Sequence, residues 1–194
     1  MTQAGLRERK QERQRAHLVK VGIRLFAERG FDATTVDEIA EVADVSRRTL
    51  FRYFGTKGDI VMEWARGTTD VLTEALRSRP LDEHPMDSLH AVFVAMCDSF
   101  TERPRAMHAV SVMIERTASL RPYSLLKHAQ WEDALAAVLR ERSPEMGELR
   151  TGLLARIAVA AFRTALDEWM STDGNALPTP YLDRAFGAVR DGLV

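Results

Sequence analysis

Residues 34–60 of the chain read TTVDEIAEVADVSRRTLFRYFGTKGDI, and this stretch decides the fold of the N-terminal region. It contains two apolar patterns of helical period, separated only by the short break Asp44-Val45. The second pattern opens with a serine followed by two adjacent arginines. Two short helices joined by a tight turn form a helix-turn-helix, so the stretch predicts this motif.

Capping signals support the boundaries of these helices. The segment Thr35–Glu38 has the capping-box pattern, in which the threonine hydroxyl binds the glutamate amide and the glutamate carboxylate binds back. Ser46 is the expected N-cap of the second short helix. The helix that precedes them, predicted over Arg13–Arg29, ends at Gly30.

The helix after Ser46 carries the residue types that DNA recognition needs. Leu50 and Phe54 anchor one face, and Arg47 and Arg48 lie in the first turn. The major groove of B-DNA admits an α-helix whose first residues reach the base edges, and arginine can bond guanine bidentately. A basic helical face is also common on solvated surfaces, so that alternative stays open for the two arginines considered alone. The candidate DNA-binding residues are Thr35, Ser46, Arg47, Arg48, Thr49, Arg52, Tyr53 and Lys57.

The distribution of charge agrees with a basic N-terminal unit. Residues 1–60 contain 12 Lys/Arg and 9 Asp/Glu, a net +3, whereas residues 61–194 contain 15 and 19, a net −4. The basic N-terminal arm, with cations from Arg7 to Arg15, either adds charge near phosphates or is a tail that contacts nothing.

Several classes of protein do not fit the composition. The only cysteine, Cys97, excludes an intrachain disulfide and a CxxC metal site, and His90, His108 and His128 lack a metal-ligand pattern. We expect no metal and no cofactor. No apolar run is long enough for a membrane span, and the N-terminus is charged, so we expect a cytoplasmic protein.

The rest of the chain has helical periodicity throughout. Further helices are predicted from about Lys57 to Arg79, over 86–102, 105–118, 122–142 and 148–172, and from Tyr181 to Leu193, with prolines at the boundaries. The predicted fold is all-α with about nine helices. Residues 1–56 form the predicted helix-turn-helix domain with the basic arm, and residues 57–194 a larger helical domain.

The run LFAERGFDATTVDEIAEVADVSRRTLFRYFGTKGDI, residues 25–60, resembles the DNA-binding domain of TetR-family bacterial transcriptional regulators. The matching features include Gly30-Phe31, Thr34-Thr35, Val45-Ser46 and Tyr53-Phe54. Phe51 departs from the pattern, because a tyrosine is commoner there. The resemblance implies a homodimeric regulator, most often a repressor, that a small apolar or amphipathic inducer releases from a double-stranded palindromic operator.

A helix-turn-helix reads few base pairs, so we expect a twofold dimer. The apolar stripes of the last two helices are the predicted interface: Leu154, Ile157, Ala158, Ala161, Ala165, Tyr181, Leu182, Phe186 and Val189. The alternative is that these stripes close the core of each subunit.

The central helices are rich in methionine and aromatic residues, which suit an adaptable apolar cavity. The candidate ligand-pocket residues are Phe93, Met96, Phe100, Met113, Trp131 and Phe162, and ordinary core packing is the alternative for each. The segments SRRTLFRYFGTK, residues 46–57, and LDEWMSTDGN, residues 166–175, resemble actinobacterial-type members of the family, some of which respond to acyl-CoA. This resemblance suggests a fatty acid or acyl-CoA as the ligand. The cations that could meet its phosphates are Arg103, Arg105 and Arg121.

Two other functions are alternatives to a ligand-responsive regulator. An enzyme would need a nucleophile-base constellation or a phosphate-binding loop, and the chain contains no GxSxG, HExxH, P-loop or CxxC motif. A DNA-binding dimer without a small-molecule inducer would use the C-terminal domain only to dimerise or to bind another protein. That second alternative stays open from sequence.

Overall fold

The computed structural model describes residues 3–98 and 104–192, with side chains from residue 7 onward. Within these ranges all regular structure is helical, which confirms the predicted all-α fold with an N-terminal helix-turn-helix and a larger helical domain. The nine α-helices of these ranges are α1 (Gln3–Arg29), α2 (Val36–Val42), α3 (Arg47–Tyr53), α4 (Lys57–Arg77), α5 (Pro85–Asp98), α6 (Pro104–Arg116), α7 (Arg121–Arg142), α8 (Gly147–Met170) and α9 (Thr179–Arg190). Short 3₁₀ helices cover Ala118–Leu120 and Pro144–Met146. None of the described helices is long and apolar enough to cross a bilayer.

The largest difference from the predicted boundaries is in α1. This helix begins at Gln3 and not near Arg13, so the basic N-terminal arm is helical. Its arginine, glutamate and glutamine residues are good helix formers, and the apolar stripe after them supplies the tertiary contacts that a long helix needs. The predicted ends of α5 near residue 102 and of α9 at Leu193 lie outside the described residues.

The N-terminal core is built by more than the first three helices. Leu18 and Phe26 of α1, Ile39 of α2 and Leu50 of α3 are almost fully buried together. The same cluster includes Ile60 and Val61 at the start of α4 and Val110, Met113 and Ile114 of α6. Since α4 and α6 complete this core, the helix-turn-helix is physically attached to the larger domain along two helices.

The turn between α2 and α3 sets the angle of the helix-turn-helix. Val45 N donates to Ala40 O at 2.9 Å and Asp44 N donates to Glu41 O at 3.1 Å, which is the hydrogen-bond pattern of a Schellman motif. Asp44 takes the left-handed position of that motif, with φ of 52°. Aspartate tolerates this region better than most residues, so the turn forms without the usual glycine.

The larger domain has a core of its own. α7 and α8 pack against each other as antiparallel neighbours, and α5 and α9 close their sides. An aromatic group lies at the centre: the Phe93 and Phe162 rings stack with centroids 4.7 Å apart, and the Trp131 ring meets Phe162 edge-on at 5.5 Å. This core borders the cavity described below.

Candidate nucleic-acid interface and ligand cavity

α3 presents its cationic face to solvent. Leu50 and Phe54 are 1% and 2% exposed and hold the helix against the N-terminal core. Ser46, Arg47, Arg48 and Arg52, by contrast, are exposed. The period of the helix therefore separates an anchoring face from a polar face, as the spacing of the apolar residues indicated.

The two adjacent arginines differ in their surroundings. Arg47 Nη1 lies 3.2 Å from Asp37 Oδ2 of α2, and its guanidinium lies over the Phe51 ring. This arginine side chain is still 64% exposed, so the ion pair is a weak surface contact. Arg48 forms no hydrogen bond or ion pair with any other described residue and projects from the first turn of α3. It is thus the arginine of this turn that an outside partner can engage without breaking a contact.

The three predicted hydroxyl contacts have structural roles within the protein. Ser46 Oγ accepts from Thr49 N at 3.1 Å, and the two hydroxyls lie 2.9 Å apart. Thr35 Oγ1 accepts from Glu38 N, and Glu38 Oε2 accepts from Thr35 N at 2.7 Å. The hydrogen bonds that Thr35 donates to Glu38 Oε2 hold the pKa of the Glu38 carboxyl below its usual value. The capping box and the serine N-cap form as predicted.

The side chain of Lys57, a predicted DNA-binding residue, has partners within the protein. Lys57 Nζ donates to the carbonyl oxygens of Phe31 at 2.7 Å and Thr34 at 2.8 Å, and it lies over the Phe31 ring. Its ammonium is therefore bound to the loop between α1 and α2. That loop lies about 25 residues earlier in sequence, where local pattern carries no information. A phosphate contact at Lys57 stays a prediction. The N-cap of α4 is Thr56, which forms a second capping box with Asp59.

The end of α3 combines aromatic and cationic side chains. Tyr53 is half-buried beside Phe54, and the Arg52 guanidinium lies 5.3 Å from the centre of the Tyr53 ring. Phe51 is 42% exposed on the same outer face. A phenylalanine so exposed adds apolar surface where a tyrosine would add a hydroxyl.

Arg15, in the basic N-terminal segment, forms an ion pair within the protein. Arg15 Nε and Nη2 donate to the two carboxylate oxygens of Glu63 at 2.6 and 2.8 Å, and the guanidinium also lies over the Phe54 ring. The hydrogen bond from Arg15 lowers the pKa of the Glu63 carboxyl. This bidentate pair ties α1 to α4, so Arg15 is a structural residue and not part of a mobile arm.

A small apolar cavity of about 40 Å³ lies between helices α4 to α8. Of the predicted pocket residues, Met96, Trp131 and Phe162 line it. Phe93 is fully buried in the aromatic core, and Met113 belongs to the N-terminal core, so the structure assigns these two to packing. Phe100 lies outside the described residues. Cys97 also lines the cavity, where burial raises the pKa of its thiol to about 12.

The cavity wall contains a buried ion pair that sequence analysis missed. Lys127 Nζ donates to Glu115 Oε1 at 2.7 Å, and the lysine is only 5% exposed. Ser124 Oγ donates to the other Glu115 oxygen, and His128 Nε2 lies 3.7 Å from Glu115 Oε1. A signal was present, since Lys127 and His128 fall on the same helical face as Trp131 and Leu135.

Burial and charge act together on this cluster. Burial raises the pKa of the Glu115 carboxyl, but the charge and hydrogen bond of Lys127 outweigh it, so that the pKa is lowered overall. Burial lowers the pKa of Lys127 despite its partner. Burial, together with the Lys127 charge, lowers the pKa of His128 to about 3, and neither ring nitrogen of this histidine has a hydrogen-bond partner.

A wide groove adjoins the cavity on the side of α1. Its volume is about 910 Å³, and it lies between α1, α4 and α6. Four residues line both spaces: Trp64, Thr68, Met96 and Met107. Among the described residues, these four side chains therefore lie between the cavity and the groove, and two of them are flexible methionines.

The structure also corrects the predicted dimer interface. Ala158, Ala161, Ala165, Leu182 and Phe186 are at most 7% exposed in the single subunit, because α8 and α9 turn these faces to the core. Leu154, Ile157, Tyr181 and Val189 are partly buried against the same core. These five residues therefore belong to the subunit core, whereas an interface role for the four partly buried residues stays a prediction.

A different stripe of α8 remains uncovered in the single subunit. Leu149 and Leu153 are 87% and 54% exposed, and Ala160 and Thr164 continue the same face toward the C-terminal end of the helix. Arg156, Arg163 and Asp167 border it on the side of α7, and Ala188 extends it on α9. This face differs from the predicted one by about a quarter turn of the helix.

Comparisons with known proteins agree over both parts of the chain. A family profile described as "Bacterial regulatory proteins, tetR family" matches residues 18–63, and one described as "MftR C-terminal domain" matches residues 83–194. The chain is 30% identical to the HTH-type transcriptional regulator TcmR of Streptomyces glaucescens over 97% of this chain and 88% of TcmR. It is also 30% identical to MftR of Mycobacterium tuberculosis, named for mycofactocin biosynthesis, over 91% of this chain and 89% of MftR.

A solved structure shows the same fold. FadR of Bacillus subtilis, crystallised in complex with stearoyl-CoA, matches with a TM-score of 0.68 at 17% identity, over 91% of this chain and 98% of that chain. At this identity the likeness concerns the fold alone. Family profiles and full-length relatives carry the assignment: the chain belongs to the TetR family of bacterial regulatory proteins and is a DNA-binding transcriptional regulator.

Proposed function

We propose that this regulator is a homodimeric repressor that a small apolar or amphipathic inducer releases from a palindromic operator. Residues 1–56 would read the DNA, and residues 57–194 would bind the inducer and the second subunit. The observation that carries the proposal is the outer face of α3, where the exposed Arg48 has no partner among the described residues.

In the DNA complex, α3 would lie in the major groove. Arg48 and Arg47 would reach base edges from the first turn, while Arg52 and Tyr53 would contact the backbone. Arg47 would have to leave Asp37, which costs little because the pair is exposed. Thr35, Ser46 and Thr49 support this arrangement by capping α2 and α3.

In the dimer, the uncovered stripe of α8 would meet its twofold copy. Leu153 and Ala160 lie at the centre of this stripe, and exposed apolar surface with small residues suits close packing of helices from two subunits. The charged residues at its border, Arg163 and Asp167, would form the rim. A dimer of this kind supplies the two reading helices that an operator of two half-sites needs.

The inducer would occupy the cavity and the part of the groove next to it. The cavity alone is too small for a drug-sized molecule, but the groove volume falls in the usual range for ligand sites. A fatty acid or acyl-CoA remains a candidate, since B. subtilis FadR was crystallised with stearoyl-CoA. Of the cations considered for its phosphates, Arg105 binds Asn175 Oδ1 and Arg121 is exposed at the start of α7. Arg103 lies outside the described residues.

Release of DNA would follow a shift between two conformers. The inducer must have a higher affinity for the conformer that cannot bind DNA than for the one that can. The coupling free energy between the two sites is then about 1–3 kcal/mol. α4 lies in both cores and lines both the cavity and the groove, so it is the helix through which occupancy would change the position of α3.

The test is a salt-dependent gel shift on DNA from upstream of the gene. Arg48→Ala should lose about 1–3 kcal/mol of affinity for the operator and little affinity for unrelated DNA. Arg140→Ala, which removes an exposed arginine on α7 far from α3, is the matched control. Equal losses on operator and unrelated DNA would show that Arg48 contacts only the phosphate backbone, and no loss at all would remove α3 from the interface.

The alternative of a DNA-binding dimer without an inducer is favoured by the small size of the closed cavity. Thermal-shift screening with fatty acids, acyl-CoAs and apolar drugs separates the two. A compound that raises Tm and also abolishes the gel shift supports the inducer, because ligands that bind the folded state stabilise it. If no compound does both, the C-terminal domain serves assembly alone.

A further inference from the structure

We propose that Lys127 binds the polar end of the inducer in the cavity. The inducer is an apolar molecule with an anionic oxygen, a carboxylate in the simplest case, and this oxygen replaces Glu115 as the partner of Lys127. The inference rests on the proposed function, because it names the chemistry of the ligand at that same cavity. It concerns a contact that local sequence pattern does not reveal.

The cavity wall is mostly apolar and carries charge at one place. Trp64, Met107, Phe162 and Trp169 form much of the lining, and Lys127 is the only cation among the described lining residues. Glu115 is the only carboxylate among the same residues. A molecule that enters the cavity therefore meets apolar surface with a single charged pair at one end.

A buried ion pair at this position needs an explanation other than stability. Taking two charges out of water costs free energy that their attraction repays only with excellent geometry, and apolar replacements are often as stable. Lys127 Nζ lies over the Trp131 ring, in a setting where an apolar side chain could also pack. Titratable groups held in an apolar cavity are more frequent at functional sites than in plain cores.

The hydrogen bonds of Lys127 leave capacity for a ligand. Its ammonium has three N–H donors and no acceptor, and Glu115 Oε1 is the only acceptor that it meets among the described residues. The Trp131 ring, with its centre 5.0 Å from Nζ, covers another side. The group that completes this site must therefore accept hydrogen bonds, and a full or partial negative charge makes such bonds strongest.

Glu115 keeps another hydrogen-bond partner when its ion pair with Lys127 breaks. Its other oxygen accepts from Ser124 Oγ, and His128 Nε2 lies 3.7 Å from Oε1 with no hydrogen bond of its own. If a ligand anion binds Lys127, this histidine can move to donate to the released carboxylate. The exchange thus replaces each contact that it breaks, because Lys127 gains the ligand anion and Glu115 gains His128.

The groove provides the route to Lys127. Trp64, Thr68, Met96 and Met107 separate the groove from the cavity, and methionine side chains change rotamer readily. The apolar body of the ligand would stay between these side chains and in the groove, with its anionic end at α7. The rim of the groove carries charges of both signs, among them Lys20 of α1 and Glu63 of α4.

The experiment measures how strongly the dimeric protein prefers a carboxylate over a neutral group on the same apolar body. Decanoate is compared with decan-1-ol, and 2-naphthoate with 2-naphthalenemethanol, by isothermal titration calorimetry. We expect at least one carboxylate to bind about tenfold more tightly than its alcohol, the effect of one charge-assisted hydrogen bond. The double variant Lys127→Met/Glu115→Gln removes the charged pair but keeps the side-chain volume. It should bind the preferred carboxylate and the matching alcohol equally.

Lys20→Met is the matched control, because it removes a cation of the groove rim and should keep the preference. If circular dichroism shows that Lys127→Met/Glu115→Gln is unfolded, Lys127→Gln/Glu115→Gln, which keeps a hydrogen bond, takes its place. The proposal is overturned if neither carboxylate is preferred by the unmodified protein, if the preference survives removal of the pair, or if Lys20→Met abolishes it. A gel shift without ligand tests the proposed function separately, since operator binding is kept when only the ligand chemistry is wrong.

Discussion

The aromatic ring of Tyr123, in the first turn of α7, lies directly against Gly58 in the first turn of α4. A β-carbon at position 58 would lie 2.2 Å from the Tyr123 hydroxyl oxygen and 2.4 Å from Cζ, so only glycine fits there. Tyr123 neighbours Ser124, which binds Glu115 in the cavity wall. The contact therefore joins the charged end of the cavity to the end of α4 that carries Lys57 and faces α3.

We predict that Gly58→Ala destabilises the protein and weakens operator binding. The added methyl overlaps Tyr123, and overpacking of this kind costs about 1–3 kcal/mol. Urea unfolding and a gel shift measure the two effects. Tyr123→Ala in the same chain should restore much of the loss because the overlap disappears, and purely additive effects of the two changes would show that they do not interact.

Lys57→Met should destabilise the N-terminal core and not only remove a positive charge. The ammonium donates to the carbonyl oxygens of Phe31 and Thr34, and leaving such acceptors without a partner costs about 1–3 kcal/mol. The measurement is the free energy of unfolding in urea. Arg48→Met, which breaks no contact, is the control. An unchanged stability together with weaker binding to all DNA sequences would instead support a phosphate contact by Lys57.

The turn between α2 and α3 should respond to the backbone preference of residue 44. Asp44 has φ of 52°, and a β-branched residue is strained there. Asp44→Val should lower the free energy of unfolding by about 1–2 kcal/mol, whereas Asp44→Gly should keep it or raise it. Thermal unfolding followed by circular dichroism compares the three proteins. A valine variant as stable as the aspartate protein would mean that the turn changes conformation at no cost.

Charge placed on the uncovered stripe of α8 should separate the subunits. Ala160→Glu puts a carboxylate opposite its twofold copy, and a buried unpaired charge at the centre of an interface costs several kcal/mol. Sedimentation velocity should show monomers, and operator binding should fall because two half-sites are no longer read together. Leu81→Glu changes an equally exposed apolar residue in the loop before α5 and should leave a dimer. A dimer that survives Ala160→Glu would place the interface elsewhere.

Stability should fall as the pH drops below the usual pKa of histidine. Burial and the Lys127 charge lower the pKa of His128 to about 3, so between that value and about 6.5 the unfolded chain binds a proton that the folded protein does not. The free energy of unfolding should therefore decrease with falling pH by up to about 1.4 kcal/mol per unit from this residue. Urea unfolding at several pH values measures the slope. His128→Phe should have a shallower slope, and an identical slope would mean that His128 is already charged in the fold.

The helix-turn-helix was predictable because its determinants are close in sequence. The Thr35–Glu38 capping box, the N-cap at Ser46 and the inward Leu50 and Phe54 all form as expected. Each depends on residues three or four positions apart, and such spacing places side chains together in any helix. The boundaries of most later helices agree with prediction to within two or three residues for the same reason.

Other assignments depended on which distant segments meet. Lys57 reaches the loop between α1 and α2, and Lys127 finds Glu115 on a different helix. The stripe with Ala158 and Ala161 is apolar, but apolarity alone does not distinguish a subunit core from an interface. These outcomes require the positions of neighbouring helices, which a single helical period does not contain.

The amino-acid sequence by itself determined the all-α class, most helix boundaries other than the start of α1, and the cationic first turn of α3. Hydrogen bonds and side-chain contacts within one helix follow the local order of residues. The tertiary structure alone decided that Lys57 binds the loop between α1 and α2 and that the exposed stripe of α8 contains Leu153 and Ala160. It also decided that a charged pair lines a mostly apolar cavity. Burial and long-range pairing are properties of the packed helices together, and the solvent exposure of a side chain is settled only when its neighbours from the rest of the chain are in place.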